Sequence, residues 1–161
     1  MTPCKAGLKR FDGNYKETHI ITPNDVVIAI TDMTQERRIV ARAARIPDFG
    51  QEIAIYSMDL VKVVPNKGMQ NEFIYGMFRY SSFPDEVKQY ANGANVLHLN
   101  PEKILDFRFP LPIKHLREKY SEIVSKLYAQ YDVLDKKNTN LRQTLDLLLP
   151  KLISGEISLS T

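Results

Sequence analysis

Four arginines, Arg37, Arg38, Arg42 and Arg45, fall within nine residues of the segment TDMTQERRIVARAAR at 31–45, opposed there only by Asp32 and Glu36. This is the densest basic patch in the chain. Arginine suits two tasks at once: ionic contact with phosphate, and a planar fork that pairs bidentately with guanine in a major groove. On a merely solvated loop or hairpin the same residues would do neither, and residue type alone leaves both readings open. Lys9, Arg10, Arg79, Tyr80, Lys88 and Gln89 are further candidates for duplex contact, Gln89 as an adenine reader by its amide alone.

Catalytic patterns are missing from the sequence. His19, His98 and His115 are far apart, Cys4 is the single cysteine, and no His-x-x-x-His pair or carboxylate cluster has metal-ligand spacing. The seven glycines form neither a GxGxxG nor a GxxxxGK pattern, so no phosphate-cradling loop is expected. Asn100-Pro101 runs on to Glu102-Lys103, not to the second proline and aromatic of an adenine methyltransferase loop. The expectation is a binding protein that holds no metal or cofactor of its own.

Composition bounds the rest. A chain of 161 residues, 43% hydrophobic, has room for one globular domain and a further element. Net charge is only +3, with 14 basic and 13 acidic residues at 1–112 and 8 and 6 beyond. Affinity for a phosphate backbone would therefore have to come from local clustering. No apolar run approaches the length of a membrane span and no leader follows Met1, so a cytoplasmic protein is expected; the lone Cys4 fits a reducing compartment.

The elements that must position these residues follow from periodicity. Residues 1–20 are polar and turn-rich. The β-branched run DVVIAI at 25–30 predicts a buried strand, and 53–55 and 60–64 predict two more around a turn at 47–50. Phe73, Ile74, Met77 and Phe78 at helical spacing predict a helix over 71–80 with its aromatics in the core. Lys88, Gln89 and Tyr90 close a second short helix, the Gly93 region is a loop, and 96–99 and 104–109 predict short strands. Pro110 and Pro112 then stiffen the exit from the domain.

From about Lys114 to Leu149 the pattern becomes that of one long helix, on the order of 50 Å at 1.5 Å per residue. Its seam comprises Leu116, Tyr120, Ile123, Leu127, Tyr131, Leu134, Asn138, Leu141, Leu145, Leu148 and Leu152, in alternating steps of four and three but for one repeat of four. That is a coiled-coil stripe, and the departure locally relaxes its supercoil. Lys119, Glu122, Lys126, Lys136, Lys137, Arg142 and Asp146 are among the charges outside it. One apolar stripe calls for a partner, either the chain's own domain with the helix folded back on it or a helix of another chain, and in the second case Asn138 in the seam would select register at some loss of stability. An ending or kink is expected at Pro150, with Gly155 available as a left-handed cap.

The words FRFPLPI at 107–113, the heptad helix, and LRQTLDLLLPKLISGEI from Leu141 resemble the specificity subunit of type I restriction-modification systems. DVVIAITDMT at 25–34 and ANGANVLHLN at 91–100 extend the resemblance backwards, in the family's order and spacing. It implies a mixed α+β target-recognition domain at 1–112, a long coiled-coil dimerisation helix at 113–153 and a tail at 154–161. The family's domain opens some tens of residues earlier, with a tryptophan-containing segment, so this chain is expected to lack that segment. The implied function is recognition of one half of a split site in double-stranded DNA. Methylation of adenine from S-adenosylmethionine, and ATP- and Mg-dependent cleavage, would belong to partner methyltransferase and restriction subunits. A second copy or a companion half would pair through Ile123, Leu127, Tyr131, Leu134, Asn138, Leu141, Leu145, Leu148 and Leu152. An oligomerising adaptor, or the inactive fragment of a broken half-subunit, remains the alternative.

Overall fold

The computed structural model describes residues 8–157; Cys4 and the last four residues of the tail lie outside them. Among the described residues the fold is mixed, with three small antiparallel sheets, three short α-helices and one long C-terminal helix. It divides into two compact units, one ending at Val124 and the other beginning at Ser125.

The first unit is organised by the run at 25–32. Four consecutive buried residues, Val26–Ala29, form β2, whose side chains meet protein on both faces and so need no polar alternation. Short strands β1 (Ile20–Ile21) and β3 (Thr31–Asp32) flank it, and β4 (Ala43–Arg45), β5 (Ala54–Ile55), β6 (Leu60–Val63) and β7 (Leu97–His98) follow. β2 is the centre of the sheet β4-β2-β6, with Val27 opposite Ala44 and Lys62. β3 carries the same stretch into a second ladder with β7, and Ile30 between them accepts from Leu99 N at 2.8 Å. β1 and β5 pair separately. A half-buried ion pair of Lys62 with Asp25 at 2.7 Å ties β6 to the turn before β2, and Lys62 also donates to the Ile20 carbonyl at 3.1 Å. Burial would push the Asp25 carboxyl up, but Lys62 and the Thr22 donors hold it below its ordinary range.

Helix α1 (Asn71–Tyr80) lies against this sheet with the expected bounds, burying Phe73 and Ile74, and Met77 and Phe78 are half-buried beside them. Helix α2 (Phe83–Val87) starts with Pro84 in its first turn, where a missing donor costs nothing, and continues into a 3-10 turn at Lys88–Tyr90. Phe83 is fully buried, 4.5 Å from the Phe78 ring and 5.1 Å from Phe107.

The strand expected at 104–109 does not form. Asn100 accepts from Glu102 N at 3.0 Å, and with Pro101 at the N-cap the chain turns into the one-turn helix α3 (Glu102–Leu105). Beyond it, Phe107 and Phe109 stack at 6.0 Å and Phe107 packs on Phe83, so rings hold this segment where a ladder was expected.

Helix α4 runs over Lys114–Ile153, about 60 Å at 1.5 Å per residue. Its first turns belong to the first unit. There Tyr120, counted in the seam, sits edge-on to Phe73 at 6.2 Å and lies over Gly76 so closely that a Cβ would overlap its hydroxyl. Gly76→Ala is expected to lower stability by about 1–2 kcal/mol, the usual cost of overpacking. Denaturation of the double variant Gly76→Ala/Tyr120→Phe should show part of that loss recovered, because the phenyl ring lacks the overlapping oxygen; equal losses would disprove the contact.

From Ser125 onward the apolar seam of α4 is exposed, while Ser125, Tyr128, Asp132, Asp135 and Thr139 are half-buried. Of the ending or kink expected at Pro150, the ending does not occur there: the helix continues through it to Ile153, the bound expected for the long helix. Proline removes the donor that would reach the Asp146 carbonyl, and with both residues exposed water can satisfy that carbonyl. The end comes at Gly155, left-handed at φ 75°, whose N–H reaches the Leu152 carbonyl at 3.2 Å.

Candidate nucleic-acid interface

β3 ends at Asp32, which is 2% exposed although it is a carboxylate. One of its oxygens accepts from the Thr34 backbone and hydroxyl, both at 2.8 Å; the other accepts from Ile39 N at 2.6 Å and Val40 N at 3.1 Å. A single carboxylate thus gathers both ends of the arginine loop. Burial alone would raise its pKa, but these four bonds outweigh it and hold Asp32 at about 2. Asp-x-Thr is the spacing by which a short acid bonds its own backbone two residues on, and that signal in Asp32-Met33-Thr34 could have revealed the anchor.

The loop is also strained. Arg37 and Ala41 take positive φ, 54° and 63°, at about 1 kcal/mol or more each for residues with a Cβ. Such angles persist where surrounding bonds over-determine them. Arg37 donates to the Gln89 side-chain oxygen at 3.2 Å and the Ala91 carbonyl at 3.3 Å, and Gln35 donates to the Ala94 carbonyl at 3.1 Å.

Most of the residues singled out from the sequence are brought together, in two groups linked by β4. Arg37 and Gln89 bond to each other, while Arg42 at 4.0 Å and Lys88 at 2.6 Å share Asp85. The Lys88 hydrogen bond holds the Asp85 carboxyl below its usual range, and Arg42 adds to that. Around Tyr75 gather Arg45, Arg79 and Tyr80. Burial raises the Tyr75 hydroxyl, the Tyr80 hydroxyl adds to the rise, and Arg79 and Arg45 oppose it. Arg45 donates to the Asn24 side chain at 2.7 Å, and Arg79 reaches the Ala43 carbonyl on edge strand β4 at 3.5 Å. Tyr80 is exposed. Arg38 points outward with an exposed, weak pair to Glu36 at 3.8 Å. Lys9 and Arg10 lie in an exposed stretch, and among the described residues no hydrogen bond or ion pair joins them to either group.

From the sequence Arg37, Arg38 and Arg42 are the first candidates for duplex contact, and their surroundings separate them. Arg37 spends its fork on internal acceptors and sets the loop's shape, whereas Arg38 is free to meet a ligand. No cluster of three or more metal-ligating side chains occurs among the described residues, and no described helix is long and apolar enough to cross a membrane.

The seam residues Ile123, Leu127, Tyr131, Leu134, Leu141, Leu145, Leu148 and Leu152 are all exposed, as is Asn138. No protein-family model matches the chain, and no curated protein is significantly similar to it.

Proposed function

We propose that this chain is a non-catalytic DNA-specificity protein of the type I restriction-modification kind, one recognition domain and one spacer helix that together read half of a split site. The observation that carries the reading is the row of exposed seam leucines on α4. Single exposed apolar residues need no explanation, but a periodic row along one helix does, and a second helix of the same pattern covers it at least cost in exposed area. The order of the FRFPLPI and LLLPKLISGEI words around that helix supplies the remaining support.

In this reading the partner is a second copy or a companion half, and two-fold pairing presents two domains to the two halves of a DNA site. A methyltransferase subunit using S-adenosylmethionine, and a translocating nuclease using ATP and Mg, would supply all chemistry. Arg38, Arg42, Arg79, Tyr80 and Lys88 are the first contacts to the duplex, and Arg37 holds the loop.

Co-expression with the methyltransferase subunit of the same locus, followed by mapping of methylated adenines, tests this. A palindromic split motif establishes a self-paired reader, and an asymmetric one a companion half. Absence of new methylation beside a folded partner would refute the reading. A second reading, an oligomerising adaptor, is favoured by the internal partners of Arg37, Arg42, Arg45 and Lys88. It predicts negligible duplex affinity, whereas a reader touching Z phosphates loses affinity with salt at a log–log slope of about −0.9Z.

A further inference from the structure

The arginine loop presents to solvent a set of side chains that its internal bonding does not use. Met33 is 84% exposed, Ile39 is 57% exposed, and the Arg38 side chain is 72% exposed. Their backbones are not free: Asp32 binds the N–H groups of Thr34 and Ile39 through one carboxylate, which places the residue after Asp32 beside the far end of the loop. Arg37 and Gln35 clamp the intervening turn to the carbonyls of Ala91 and Ala94. Two apolar side chains and one guanidinium therefore stand on a closed, pre-shaped tip, on a backbone whose ordering entropy is already lost.

That combination fits a base-pair edge better than a phosphate row. Phosphate contact asks for cations alone, and Met33, Glu36 and Ile39 add nothing to it. A major-groove edge offers guanine N7 and O6 to an arginine fork and the thymine methyl to apolar carbon. We propose, resting on the DNA-reading function above, that Met33, Arg38 and Ile39 form the base-reading tip: Arg38 donates its fork to a guanine, and Met33 and Ile39 pack on thymine methyl groups. Arg37 is the positioning residue behind them. Arg38 can be released for this at little cost, because its pair with Glu36 is long and exposed.

The test is selection from a random-sequence duplex library by the full chain in complex with its co-expressed methyltransferase subunit, comparing wild type, Arg38→Lys, and Met33→Ala/Ile39→Ala. All substitutions lie at exposed side chains, and circular dichroism checks the fold. Arg38→Lys keeps the charge and loses the fork, so preference for guanine at one position should fall about tenfold or more while total binding persists. The double variant should lose preference for thymine at neighbouring positions. A wild-type motif that all variants reproduce overturns the tip assignment alone. An unchanged motif with loss of the co-purifying methyltransferase would make the loop a protein interface and also overturn it. No enriched motif for the wild-type complex would refute the DNA-reading function itself.

Discussion

Asp32→Asn is expected to destabilise the first unit by about 3 kcal/mol and to lower its melting temperature by roughly 10 °C, although the two side chains have nearly the same shape. The reason is the way the acceptors are shared. Each carboxylate oxygen takes two donors, Thr34 N and Oγ1 on one side, Ile39 N and Val40 N on the other. Whichever way the amide is turned, its NH2 group faces a backbone N–H that loses its acceptor: Thr34 N on one side, whose hydroxyl can rotate to accept, or both Ile39 N and Val40 N on the other. The strained angles at Arg37 and Ala41 then lose part of what holds them. Urea denaturation at neutral pH measures the loss, and a variant within about 0.5 kcal/mol of wild type would remove Asp32 as the anchor.

The same group makes a pH prediction. Its folded pKa of about 2 lies below the ordinary value of 3.8. The stabilisation is therefore fully present above about pH 4 and is lost as pH falls through about 2, amounting to roughly 2 kcal/mol. Wild type should show this acid loss between those values, and Asp32→Asn should have a flatter profile across the same interval.

Leu141→Asp is expected to abolish pairing through α4, weakening self-association by about a thousandfold or more, because a seam carboxylate would be desolvated against leucines of the partner. In the single chain Leu141 is 66% exposed. If nothing covered it, the substitution would leave stability within about 0.5 kcal/mol, as for other surface sites. Sedimentation equilibrium separates the two cases: a dimer for wild type and a monomer for the variant is the expected pair of results. A variant dimer of unchanged mass would remove Leu141 from the interface, and Leu141→Ile, which keeps the apolar volume, should remain paired.

Local sequence was enough where a run carries its own period. The β-branched run at 25–30 determined β2, ten residues at helical spacing determined both ends of α1, and the four-three pattern together with Pro112 determined α4 and where it begins. Strands two residues long carry no period, so the separate ladders β1-β5 and β3-β7 were invisible until their partners were placed. At 104–109 an apolar, aromatic run resembles a strand, yet the Asn100-Pro101 cap and the rings of Phe83 and Phe109 decide its path. Pro150 allowed an ending or a kink, and with Asp146 and Pro150 exposed the helix runs on to Ile153. The fate of the arginines was the least legible part. Their number and crowding are properties of the sequence alone, but Arg37 finds its acceptors at Gln89 and Ala91, more than fifty residues away, and Arg42 finds Asp85. Which cation is consumed by the fold and which is left for a ligand depends on acceptors that only the packed chain brings within bonding distance.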